Sequence, residues 1–190
     1  MGDAENYKFA IIVACFLSAV LMYRKREGLL KNALFLTLAA DFFMLFTARL
    51  FIGVLLFCGV QIIYFFRYTN GGKKSFKFIY FLYIIPAVAA FYFFRDMLAA
   101  VSAFYACCLV TSVISAFLVK KNRAIISTAM FLFLLCDICV LFANLPDYFP
   151  KNAVLDRIAN VSEGFVWLFY APSQVLLALS GRNFYLLRNK

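Results

Sequence analysis

Asp41 and Asp137 each stand inside a long apolar run, in matching frames. Asp41 lies in LFLTLAADFFMLFTARL and Asp137 in MFLFLLCDICVLFANL. In both, three residues separate the acid from a Leu-Phe pair, Leu45-Phe46 and Leu141-Phe142. A charge at the centre of a bilayer costs at least ~2.5–3.5 kcal/mol, so an acid there is first read as part of a functional site. Two acids on separate helices can share one polar site. In a low-dielectric setting with no base nearby, at least one keeps its proton and serves as an acid. The other, ionised, stabilises positive charge or activates water. The competing reading is a structural contact between helices.

The elements that must position this pair are membrane helices. Of the 190 residues, 66% are hydrophobic, 19% aromatic and only 15% charged. Repeated apolar stretches approach the ~20 residues that cross ~30 Å of hydrocarbon, and no soluble domain of this length hides so much apolar surface. The expected class is all-α: a polytopic transmembrane bundle of about seven spans, forming one integral membrane domain over residues 1–190. The spans run roughly Tyr7–Tyr23, Leu29–Phe46, Leu50–Phe66, Phe78–Phe94, Met97–Leu118, Ala124–Asn144 and Ile158–Ser180. The cuts at Thr47–Arg49 and Arg95-Asp96 are short, either tight helical hairpins or the middle of a broken helix. The first span has an acidic N-terminal flank and no small-residue cleavage site before Arg24, so it reads as a retained helix.

Charge sets the expected orientation. Arg24–Lys31, Arg67–Lys77, Lys120–Arg123 and Arg182–Lys190 hold 14 of the 19 Lys and Arg. The alternate side (Lys8, Arg49, Arg95, Lys151 and Arg157) holds the other 5. Cytoplasmic loops carry the Lys/Arg excess, which predicts the N-terminus outside and the C-terminus cytoplasmic, in a multi-pass protein of the cell membrane (the inner one where there are two). The net charge of +10 then matches anionic headgroups, and no nucleic acid is needed as partner.

Absences narrow the chemistry. The chain has no histidine, which removes a Ser-His-Asp triad, a Cys-His pair and histidine-ligated zinc. No lysine lies in the seventh span for a retinal Schiff base. Cys15, Cys58, Cys107, Cys108, Cys136 and Cys139 all fall within apolar spans and read as small packing residues, so neither a metal nor another cofactor is expected.

The remaining polar residues in the spans are few. The third span carries Gln61 and Tyr64 on one face. The seventh carries Glu163, then Tyr170, Ser173 and Gln174 at i, i+3 and i+4, which share a face. Glu163 lies about a turn and a half inside the outer end of its helix and can snorkel to the interface. Pro172 frees the carbonyl of Leu168 from its helical bond, a common way to build a cavity in a membrane helix. Pro86 reads as a plain kink. Gln, Ser and Tyr can equally just hydrogen-bond a neighbouring helix, at ~0.6 kcal/mol each.

The stretch Gly53-(x3)-Phe57-(x3)-Gln61-(x2)-Tyr64 resembles the G-L-x-x-F-x-x-x-H-x-x-Y helix of the YhhN-type lysoplasmalogenases. As in that family, an acid-bearing helix (Asp41) precedes it and a second (Asp137) comes later. Tyr170-Ala-Pro-Ser-Gln174-Val-Leu-Leu-Ala178 is similar to the family's final Y-x-x-x-Q-x-L-L-A motif. The resemblance covers about Lys31–Tyr68 and Ala124–Ser180. Gln61 stands where the family has histidine, and seven spans are counted where the family usually has eight. The resemblance implies a membrane hydrolase that cleaves the vinyl ether of a lysophospholipid, releasing a fatty aldehyde and a glycerophospho-headgroup. It implies Asp41 and Asp137 as the catalytic acid and its partner, in either order. Gln61, Tyr64, Glu163, Tyr170, Ser173 and Gln174 would line the substrate. The alternatives are a small proton-coupled transporter and a family member that binds lipid without cleaving it. Against the seven-helix sugar transporters, no Pro-Gln pair is present, because Ser173 separates Pro172 from Gln174.

Overall fold

The computed structural model describes residues 3–23, 27–69, 79–150 and 152–182. They form helices and short connections, with no strand among the described residues. The helices are α1 (Asp3–Met22), α2 (Gly28–Phe46), α3 (Leu50–Tyr68), α4 (Ile79–Leu82), α5 (Ile84–Phe94), α6 (Met97–Leu118), α7 (Arg123–Asn144) and α8 (Ala153–Leu179); a 3-10 turn, Leu145–Asp147, follows α7. Five segments are long and apolar enough to cross a membrane: Glu5–Met22, Gly28–Phe46, Leu50–Tyr68, Met97–Leu118 and Arg123–Asp147. Ile79–Phe94 is apolar but shorter. α8 has 27 residues, ample length, but carries the charged and amide side chains noted above. The basic tracts at 24–26 and 73–77, and Gly71 and Gly72, lie outside the described residues.

Both short cuts are real turns between packed antiparallel helices. At the first, Thr47 Oγ1 donates to Phe43 O (2.7 Å), and Ala48 takes a left-handed φ of 52° to reverse the chain. At the second, Arg95 (φ 54°) closes α5 with its N–H on Phe91 O (2.8 Å), the left-handed C-cap. Asp96 then caps α6, accepting from the Leu98 and Ala99 amides at 3.0 and 3.3 Å. Its other contact is the Tyr148 hydroxyl at 2.8 Å.

Pro86 does more than kink its helix. It has no N–H to bond the carbonyl of Leu82, four residues back, and its ring crowds that carbonyl. The helix accordingly breaks into α4 and α5 at Tyr83, where Tyr83 N bonds Tyr80 O in a tight turn. Pro172, by contrast, sits within an uninterrupted α8.

Six helices close into a ring: α1 packs on α2, α2 on α3, α3 on α6, α6 on α7, α7 on α8, and α8 back on α1. α4 and α5 lie outside the ring, α5 against α6. Small residues bring α2 and α3 together: a Cβ on Gly53 would meet Met44 Cγ and lie 3.3 Å from Ala40 O. Leu30, Leu34, Tyr64, Met130, Phe133 and Leu177 fill the interior with almost no exposure. Large apolar side chains such as Leu21, Phe35, Ile85, Phe93 and Leu168 face outward. An apolar exterior around a hydrogen-bonded helical ring is what a hydrocarbon solvent requires.

Candidate active site

α2 and α7 carry Asp41 and Asp137 in the same ring of helices. Each carboxyl accepts a hydrogen bond from a tyrosine on another helix. Tyr170 of α8 donates to Asp41 Oδ2 at 2.6 Å, and Tyr105 of α6 donates to Asp137 Oδ2 at 2.5 Å. The site therefore draws one side chain from each of four helices. Asp41 and Tyr170 are buried, whereas Asp137 and Tyr105 are only half-buried.

Aromatic rings tie the two tyrosines together. Phe57 lies 6.1 Å from Tyr105 and 6.0 Å from Phe133, and Phe133 lies 5.8 Å from Tyr170, centroid to centroid. This arc of four rings fixes the direction from which each hydroxyl approaches its acid. Trp167 packs edge-on against Tyr170 at 5.1 Å, with the Lys8 ammonium over its indole at 5.1 Å.

The residues expected to line a substrate divide into two groups. Tyr170 joins the acid pair directly. Gln61, Tyr64, Ser173 and Gln174 are fully buried inside the ring. The amide nitrogens and oxygens of both glutamines, the Tyr64 hydroxyl and the Ser173 hydroxyl have no hydrogen-bond partner among the described residues. The backbone carbonyl of Gln61 accepts from Ser112 Oγ at 2.7 Å, which fixes α3 against α6. Glu163 is exposed, about 10 Å along α8 from Tyr170 at 1.5 Å per residue, and does not join this group.

Tyr105 is the site residue that sequence reasoning missed. Its only signal is position: Tyr105 and Ser112, seven residues apart, share one face of α6 and both point into the ring. Arg67 was also read only as a topology charge. It forms the floor of the ring, donating through Nε to Glu27 Oε2 (3.2 Å), with Nη2 3.1 Å from that oxygen, and through Nη1 to Ser180 Oγ (2.9 Å).

Chemically, the arrangement offers two carboxyls within one ring of helices, two phenolic donors that orient them, and a layer of uncharged amides and hydroxyls further along the ring. It can hold a proton, deliver it to a bound group and stabilise the cation that results. No family model matches the chain, and no curated protein or solved structure matches it either.

Proposed function

We propose that the protein is a lysoplasmalogenase-like membrane hydrolase that cleaves the vinyl ether of a lysophospholipid by carboxylic-acid catalysis. The observation that carries this reading is the pair Asp41 and Asp137, each oriented by a tyrosine, inside an apolar ring. One acid protonates the alkenyl carbon that does not bear oxygen, giving an oxocarbenium ion. The other, as carboxylate, stabilises that ion and takes a proton from the attacking water. The hemiacetal then collapses to a fatty aldehyde and a glycerophospho-headgroup, with one water consumed and no net proton. Tyr105 and Tyr170 hold the carboxyls in place. Gln61, Ser173 and Gln174 supply uncharged hydrogen-bond groups for water or the glycerol portion, and Tyr64 closes that layer.

In this reading seven segments cross the membrane, with α4–α5 as the fourth and α8 as the seventh, the N-terminus outside and the C-terminus in the cytoplasm. The acid pair then sits in the outer third of the bilayer, at the depth of a lipid's glycerol region. Phe-rich outer faces are the path by which the alkenyl chain enters.

The test is release of fatty aldehyde from a lysoplasmalogen by the purified protein, with the saturated-ether analogue as control. Aldehyde from the vinyl ether alone, abolished in Asp41→Asn and in Asp137→Asn with the melting temperature kept, is the expected result. General acid–base groups contribute about 10²–10⁴-fold, so turnover surviving in both variants would sink the assignment.

A second reading, a proton-coupled transporter, is favoured by one observation: buried polar side chains continue beyond the acid pair toward Arg67. Proton-dependent solute uptake into liposomes, without aldehyde release, would select it.

A further inference from the structure

The inner half of the ring holds more hydrogen-bonding capacity than the protein itself satisfies. Gln61, Tyr64, Ser173 and Gln174 are each 0% exposed, yet six of their side-chain atoms have no partner among the described residues. More than about 90% of buried polar groups in folded proteins are paired, and an unpaired one carries its full desolvation penalty. Six orphans in one layer therefore mark a place built to be filled by something polar. The groups are amides and hydroxyls without formal charge, which match water better than an ion.

The layer has a defined level and a polar cluster at one end. The Arg67 guanidinium of α3 meets Ser180, just past the end of α8. Six residues back along each helix stand Gln61 and Gln174, so the two amides share a level about 9 Å above that contact. Tyr170, a turn further, bonds Asp41. Polar groups thus run in sequence from the acid pair through Gln61, Ser173 and Gln174 to Tyr64 and the Arg67 cluster. At that end Glu27 and Ser180 hold Arg67. Asn122 of the α6–α7 connection donates to the carbonyls of Ser180 and Arg182, and Tyr23 donates to Leu179 O at 3.2 Å. Residues from α3, the end of α8 and the connections that carry Glu27 and Asn122 converge there, their hydrogen bonds layered beside the buried side chains of Tyr23, Leu30 and Tyr68. The hydrogen bonds of that layer can exchange for water.

We propose that Gln61, Tyr64, Ser173 and Gln174 bind a file of water molecules inside the ring, and that the Arg67–Glu27–Ser180 cluster is the latch through which this file meets solvent. The inference stands independently of what the acid pair does, since a hydrolase and a proton carrier both need water there.

The test uses the full-length protein in detergent. In a Ser173→Cys variant, the thiol is exposed to a small cationic methanethiosulfonate, and modification is followed by peptide mass mapping, which separates it from the six native cysteines. Modification is expected, and it accelerates by about tenfold or more when Glu27→Ala removes the carboxylate that holds Arg67. A thiol that stays unmodified in both backgrounds, or a rate indifferent to Glu27→Ala, overturns the proposal. Gln174→Met, which keeps the shape and removes the amide, gives a second reading that needs no latch variant. A water-bonded amide predicts a lower Tm for Gln174→Met. A Tm at or above wild type means the amide was dry and unpaired, and overturns the file.

Discussion

Tyr170 and Asp41, 129 residues apart in the chain, are joined by a 2.6 Å hydrogen bond in the buried interior of the ring. Tyr105 and Asp137 repeat the arrangement on the facing helices, 32 residues apart, at 2.5 Å. Removing either hydroxyl while keeping the ring isolates its role. Tyr170→Phe and Tyr105→Phe are each expected to slow aldehyde release by about 10- to 100-fold, since a hydrogen bond to a charged group is worth about 1.5–3 kcal/mol. The loss should appear in kcat rather than KM, because the tyrosines hold the acids and not the lipid. Steady-state kinetics on the vinyl-ether substrate check this.

Glu163 provides the control among the acids. It is exposed on α8, away from the pair, so Glu163→Gln should leave kcat/KM within about twofold and unfolding free energy within about 0.5 kcal/mol of wild type, the usual range for surface changes. A large loss of activity would mean that Glu163 reaches the substrate.

The α2–α3 contact beside Asp41 has no spare room. A Cβ added to Gly53 would collide with Met44 Cγ and lie 3.3 Å from Ala40 O, one residue before Asp41. Met44 can swing, but the Ala40 carbonyl belongs to the helix. Gly53→Val should therefore push the helices apart at a cost of about 1–3 kcal/mol, typical of overpacking. Activity should fall further than stability, because Asp41 moves with its helix. Denaturant unfolding and aldehyde release, measured on one preparation, separate the two effects.

Asp96 makes a prediction about acid stability. Bonds from the Leu98 amide and the Tyr148 hydroxyl hold its carboxyl below its ordinary value of 3.8. Burial, together with Asp96, pushes the Tyr148 phenol up to about 12. A depressed folded-state acid stabilises above its unfolded value and loses that contribution as pH falls through the folded one. Wild type should thus lose part of its stability below about pH 4, and Asp96→Ala should lose the cap, about 1 kcal/mol, at neutral pH and flatten that acid limb. Thermal melts from pH 3 to 7 check both. Asp96→Ala melts that retain the wild-type acid limb would assign that limb to other carboxyls.

Much of this architecture is legible along the chain. The apolar runs, the turns at Thr47–Arg49 and Arg95-Asp96, and the two acids within their runs all follow from local composition. A helix in hydrocarbon must satisfy its own backbone and show apolar side chains outward. The i, i+3, i+4 spacing of Tyr170, Ser173 and Gln174 likewise placed them on one inward face, because helical periodicity is local. Glu163 lies exposed and apart from them, because position along a helix does not fix which part of a face stays covered. Pro86 was read as a kink where it breaks the helix, at the Leu82 carbonyl that it leaves without an amide partner.

Sequence alone determined the class of solvent, the helical segments and the presence of two expensive acids, since each rests on the transfer cost of residues to hydrocarbon. Only the tertiary structure decided which side chains meet those acids. Tyr105 is one tyrosine among 11, and Arg67 one basic residue among 19. What distinguishes them is the closure of six helices into a ring, which sets Tyr105 opposite Asp137 and Arg67 opposite Glu27 and Ser180. That closure depends on contacts between helices distant in the chain, such as α1 with α8, and no periodicity within one helix encodes its neighbour.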